Sequence, residues 1–167
     1  MSLYPTFLEI KKIFGQLPAW LDKTAAFAAA KKFDPNTLLQ SRLAPDMFPL
    51  VRQIQAVCDQ AQFAGGRVAG KDSPSHPDTE TTFDELRARA ASVQEYLEGF
   101  TAKDFEGAAD RSISLPRWEG KSMTAEAYFF EHALPNFFFH VTMTYAILRH
   151  NGVELGKRDY LGPISLR

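Results

Sequence analysis

Three polar side chains recur at four-residue intervals in an otherwise apolar segment near the C-terminus: His132, Asn136 and His140. Residues four apart lie on one face of an α-helix, so neighbours in this series can contact the same ion or ligand. Asn136 and His140 have the one-turn spacing with which a helix presents two metal ligands. His132 and His140 are two turns apart, about 12 Å along the axis, which is too far for one ion.

A purely structural role accounts for the same residues. Pro135 has no N–H to donate to the carbonyl of Glu131, and Asn136 can satisfy that break. His140 can be a buried histidine that makes a hydrogen bond, because buried polar groups are normally satisfied within the protein. Spacing alone favours this structural role over a metal site.

The second predicted helix carries polar residues close to its apolar stripe, including Asp46 and Arg52. In the first turn Asp46 would be stabilised by free N–H groups and by the helix dipole. Unpaired polar groups between apolar stripes would cost about 1–3 kcal/mol each. We therefore expect Asp46, Asn136 and His140 to converge on each other, on water, or on Arg52 or Tyr145, and not to point outward. We expect His140 to make a hydrogen bond and no transition metal to bind tightly.

Three apolar stripes predict the helices that position these residues. They start near Leu3, Leu43 and Phe83 and alternate spacings of three and four, the period of packed helical bundles. A fourth helix, about 124–150, is apolar around nearly its whole circumference, so its outer face must be covered. The pattern predicts one all-α domain over residues 1–167, a four-helix bundle with a small β-hairpin between helices three and four. A second copy of the chain would cover the fourth helix, so we expect a homodimer.

Turn-forming residues set the expected boundaries. Gly15 predicts a kink in the first helix, and two prolines place the start of the second near Asp46. Gly65, Gly66 and Gly70 are interpreted as lying at the end of that helix, where the ordinary role of glycine is termination. Residues 82–85 form a capping box, and the polar loop 70–81 before it is expected to be mobile.

Composition excludes several classes of protein. The chain of 167 residues has 19 basic and 20 acidic side chains, so it has no general attraction to nucleic acid or to an anionic membrane. The single cysteine, Cys58, excludes an intrachain disulfide and is expected to be a small buried hydrophobe. Neither a secretory signal nor a membrane-spanning segment is apparent, so the expected location is the cytoplasm. The phosphate-loop, dinucleotide, esterase and zinc-protease motifs are absent.

Over essentially its whole length the chain resembles a bacterial family of domains of unknown function, number nineteen ninety-three. The resemblance rests on LAPDMFPLVRQIQAVCDQA, DTETTFDEL and ALPNFFFHVTMTYAILRHNGVELGKRDYLG. This family is grouped with the DinB/YfiT-like proteins, which implies a bundle in up-down-down-up order that is often dimeric. The wider group commonly holds a divalent metal, such as zinc or nickel, with three histidines. Alignment places two of those positions on Asn136 and His140 and the third near Asp46.

The resemblance leaves two functions open. The first is a degenerate, non-catalytic member of the group that binds a small molecule or nothing. The second is a metal-dependent transferase or hydrolase in which Asp46, Asn136 and His140 hold the ion. Replacement of two histidines by Asn and Asp favours the first. A third role, a protein-interaction module, would require the outer face of the fourth helix to be exposed.

Overall fold

The computed structural model describes residues 3–166, and most of these are helical. The helices are α1 (Tyr4–Phe14), α2 (Leu17–Lys31), α3 (Leu50–Ala69), α4 (Phe83–Glu98), α5 (Ala125–Ala127), α6 (Leu134–His150) and α7 (Lys157–Leu161). A π-helical turn, Tyr128–Ala133, joins α5 to α6. Helix α3 packs against α1, α4 and α6, and its buried face supplies much of the hydrophobic core. No helix within residues 3–166 is long and apolar enough to cross a membrane.

The hairpin expected between the third and fourth long helices is present. Strand β1 (Ser112–Ser114) pairs antiparallel with β2 (Ser122–Thr124), with Ile113 opposite Met123. The predicted capping box also forms, because the Thr82 hydroxyl accepts from the Glu85 N–H and the Glu85 carboxylate accepts from the Thr82 N–H. The kink expected at Gly15 is a break between two separate helices, α1 and α2.

Helix α3 starts later than its sequence suggests. The predicted start near Asp46 is wrong, since the first helical residue is Leu50 and its N-cap is Pro49 in an extended conformation. A residue before proline is disfavoured in helical geometry, so Phe48 cannot extend α3 backwards. Asp46 therefore lies outside the helix in an exposed turn and receives no stabilisation from its first-turn N–H groups.

Gly65 and Gly66 do not end α3. The helix continues through them to Ala69 and terminates at Gly70, whose φ is +69°. A Cβ atom on Gly65 would lie 2.7 Å from Cε2 of Phe7 and 3.2 Å from Cζ of Phe100. Gly65 is therefore required where these two aromatic rings approach the α3 backbone.

We expect Gly65→Ala to destabilise the fold by about 1–3 kcal/mol, because an added methyl group overpacks a core that has no space for it. Urea denaturation followed by circular dichroism measures this loss. Gly15→Ala is the matched control: its Cβ would lie no closer than 3.4 Å to any neighbour, and φ there is −61°. Equal stabilities for the two variants would contradict the packing argument.

Candidate functional site

His140 is the buried polar centre of the candidate site. It is 9% exposed, and its Nδ1 lies 2.8 Å from Oε1 of Gln53 on α3. The Gln53 amide donates in turn to the carbonyl of Phe48, at 3.3 Å. Because that bond turns the amide nitrogen towards Phe48, its oxygen faces the imidazole and Nδ1 must carry the proton. The lone pair of His140 is therefore on Nε2.

Two exposed phenylalanines border this imidazole. The Phe48 ring is nearly parallel to that of His140, with an interplanar angle of 10° and 6.4 Å between the ring centroids. The Phe139 ring stands edge-on at 5.2 Å. Phe48 and Phe139 are 52% and 51% exposed, so a buried hydrogen-bonding group lies beneath an apolar rim that is open to solvent.

Burial lowers the pKa of His140 below its ordinary value of 6.5. Desolvation disfavours the imidazolium, and the neighbouring Gln53 carbonyl brings no compensating charge. At neutral pH the ring is therefore an uncharged acceptor at Nε2, able to take a hydrogen bond, accept a proton or ligate an ion.

The structure does not collect the five predicted residues into one cluster. His140 does make a hydrogen bond, but to Gln53. Asn136 is half-buried one turn away and makes no hydrogen bond within the described residues. Tyr145 donates to the carbonyl of Leu155, at 3.2 Å, and so faces the C-terminal arm.

Arg52 and Asp46 also make no hydrogen bond with the imidazole. Arg52 pairs with Asp78 at 2.5 Å, and its guanidinium carbon lies 5.8 Å from the centre of the Phe48 ring. Asp46 is exposed and makes no hydrogen bond or ion pair within residues 3–166, so its expected inward orientation is wrong. The physical reason is the delayed start of α3, which leaves Asp46 in the preceding turn.

These positions do not fit the metal site that the resemblance implies. Asp46 is exposed and makes no hydrogen bond or ion pair with His140, and the amide of Asn136 is a weak ligand for zinc or nickel compared with imidazole. Over residues 3–166, no three His, Cys, Asp or Glu side chains are grouped closely enough to hold an ion. We therefore derive no chemistry through a metal.

A second polar cluster, which we did not anticipate from the sequence, surrounds Arg89 on α4. The side chain of Arg89 is 1% exposed and donates to Asp59 at 2.7 Å, to Asp78 at 2.8 Å and to Glu80 at 3.0 Å. Asp78 and Glu80 belong to loop 70–81, so ion pairs with Arg89 hold the loop that was expected to be mobile. Arg89 lies three residues after Leu86 on the apolar stripe of α4. A charged residue on that stripe is the sequence feature that could have predicted this cluster.

The carboxylates around Arg89 have shifted pKa values. Burial would raise the pKa of Asp78, but hydrogen bonds from Arg52 and Arg89 outweigh it and the pKa falls below 3.8. The pKa of Glu80 is likewise lowered against the effect of burial, by a backbone hydrogen bond and by Arg89. At Asp59 burial prevails and the pKa is raised.

Cys58 is fully buried beside this cluster. Burial raises the pKa of its thiol to about 12, against the opposing effect of Arg89. A thiol with so little thiolate is unreactive. Cys58 therefore behaves as the small buried hydrophobe that the sequence predicts.

Comparison with known proteins places this fold in the DinB-like class of helical proteins. The chain is similar to a DinB family member protein from Shewanella denitrificans, whose crystal structure has a TM-score of 0.91 and 50% sequence identity over 96% of this chain and 92% of the other. Residues 4–161 match the domain of unknown function DUF1993, and the chain belongs to that family. No curated protein matches the sequence.

We expect Gln53→Glu to raise the pKa of His140, because a carboxylate beside Nδ1 stabilises the imidazolium. NMR titration of the histidine ring resonances measures the shift. Gln53→Leu is the control: it removes the hydrogen bond without adding charge and should leave the pKa below 6.5. A His140 pKa unchanged by Gln53→Glu would contradict the contact.

We expect Arg89→Leu to destabilise the fold by an amount near the lower end of about 3–5 kcal/mol, because Asp59 and Glu80 lose their charged partner while Asp78 keeps Arg52. Arg87→Leu, two residues away, removes a partly exposed arginine that pairs with Asp22 and should cost less than about 1 kcal/mol. Urea denaturation at pH 7 compares the two variants.

The loss in unfolding free energy caused by Arg89→Leu should also depend on pH. A carboxyl group whose pKa is lowered by folding stabilises the folded protein at pH values above its pKa in the unfolded chain, which is 3.8 for Asp78 and 4.5 for Glu80. This stabilisation is lost as the pH falls through the pKa of the group in the folded protein. The wild type should therefore lose its advantage over Arg89→Leu below about pH 4. A constant difference between pH 7 and pH 3 would contradict this assignment.

Proposed function

We propose that this protein is a non-catalytic member of the DinB-like class that binds a small organic molecule over His140. The observation that carries the proposal is the Gln53–His140 hydrogen bond, which fixes an uncharged imidazole with its lone pair on Nε2. A ligand with one N–H or O–H donor would bind that nitrogen. Phe48 and Phe139 would contact its apolar part.

A four-helix bundle in up-down-down-up order is part of the same proposal. The packing of α3 against α1, α4 and α6 supports it, as does the similarity to the DinB family member protein. A homodimer in which a second copy covers part of α6 is also part of the proposal. Its support is the exposure of Phe130, in the π-helical turn that leads into α6. The metal-dependent alternative has less support, because it requires Asp46 beside His140.

Indole, a flat apolar molecule with one N–H donor, is a suitable probe. We expect it to bind and to perturb the NMR resonances of the His140 ring. 1-Methylindole has the same shape without the donor and should bind about tenfold more weakly, as should indole to His140→Phe, for a hydrogen bond of about 1.4 kcal/mol.

His150→Phe is the matched control, since His150 is exposed in the last turn of the same helix. Equal binding of indole and 1-methylindole, or binding unaffected by His140→Phe, would overturn the proposal. Tight zinc binding that is lost in Asp46→Ala would instead favour the metal-dependent alternative.

A further inference from the structure

A third polar cluster lies where the π-helical turn Tyr128–Ala133 faces the β1–β2 connection. His132 is stacked on Tyr128 with 5.4 Å between ring centroids, and Trp118 meets the His132 ring edge-on at 5.8 Å. Two arginines, Arg67 of α3 and Arg117 of the β1–β2 connection, complete the group. His132 therefore belongs to this surface and not with His140.

Hydrogen-bond donors predominate in this cluster. Arg117 contacts Nε2 of His132, and because a guanidinium can only donate, Nε2 is the acceptor and the ring proton lies on Nδ1. That Nδ1 is buried and makes no hydrogen bond. Arg67 donates to the hydroxyl of the fully buried Tyr128 at 2.9 Å, and this bond orients its guanidinium group.

The two guanidinium charges are also uncompensated. Neither Arg67 nor Arg117 forms an ion pair with a carboxylate of residues 3–166, in contrast to Arg52, Arg87 and Arg89. Arg67 is half-buried and held over the Phe63 ring, with its guanidinium carbon 3.9 Å from the ring centre. An unneutralised, preoriented guanidinium of this kind is suited to bind an oxyanion.

A groove of about 510 Å³ runs along the hairpin connection from Arg117. Trp118, Lys121 and Met123 line it, together with Glu119, which pairs with neither arginine. The groove gives an anion bound at Arg117 room for an organic remainder, with an aromatic wall and a further cation beside it.

We propose that Arg67 and Arg117, held in place by Tyr128 and His132, bind the phosphate group of a small phosphate monoester, whose remainder lies in the groove beside Trp118. A phosphate monoester is close to a dianion above pH 7, which matches two guanidinium charges. Its three free oxygens are strong acceptors for the N–H groups that the two guanidinium groups do not use on Tyr128 and His132. A carboxylate carries one charge and two oxygens, and would leave part of the cluster unpaired.

Inorganic phosphate at pH 8 is the probe, titrated into the full-length protein by isothermal calorimetry at constant ionic strength. We expect saturable binding that is tighter than that of acetate. Arg117→Gln, a change on the exposed hairpin, should weaken phosphate binding at least tenfold, and Arg67→Lys should weaken it as well because the planar fork is lost. Phosphate should shift the NMR resonances of the His132 ring and leave those of His140 unchanged.

Arg149→Gln is the matched control, since it removes the same charge from an exposed arginine at the end of α6 that forms no ion pair within the described part of the chain. The proposal is overturned by non-saturable phosphate binding, by equal affinity for phosphate and acetate, or by an equal loss in Arg117→Gln and Arg149→Gln. Indole binding at His140 should be unaffected by Arg117→Gln, so the two sites are tested separately.

Discussion

The guanidinium of Arg89 is buried in the interface between α3 and α4, where a charge without partners would be strongly destabilising. Three carboxylates neutralise it, and two of them, Asp78 and Glu80, come from loop 70–81. Asp78 also pairs with Arg52, which lies over the Phe48 ring, and Phe48 is stacked on His140. A chain of direct contacts therefore connects the buried charge to the rim of the candidate site.

Pro49 is the local constraint on that site. By preventing helical geometry at Phe48, it fixes the first turn of α3 and with it the direction from which Gln53 meets His140. The same constraint holds the Phe48 carbonyl where the Gln53 amide donates to it, and leaves Asp46 in solvent. One backbone restriction thus leaves Asp46 outside α3 and places the carbonyl that orients the Gln53 amide.

The two histidines of the polar series present opposite chemistry to their surroundings. Both carry the ring proton on Nδ1, yet His140 uses that proton on Gln53 and offers a lone pair, whereas His132 uses its lone pair on Arg117 and keeps its N–H buried. The difference arises from the partner that each ring meets, an amide oxygen in one case and a guanidinium in the other. One helical segment therefore carries two histidines with different partners, about two turns apart.

The sequence by itself determined the helices, the capping box at Thr82, the hairpin before α5 and the burial of Cys58, because these features depend on periodicity and on neighbours a few residues away. It also carried the resemblance to the family that the comparisons confirm. Only the tertiary structure decided that Gln53, 87 residues from His140 in the chain, is its partner. The tertiary structure also decided which carboxylates pair with Arg89, that Asp46 is exposed, and which aromatic rings approach Gly65. Periodicity indicates which face of a helix is buried, but the polar group that meets that face depends on the rotation and axial shift of the helices relative to each other.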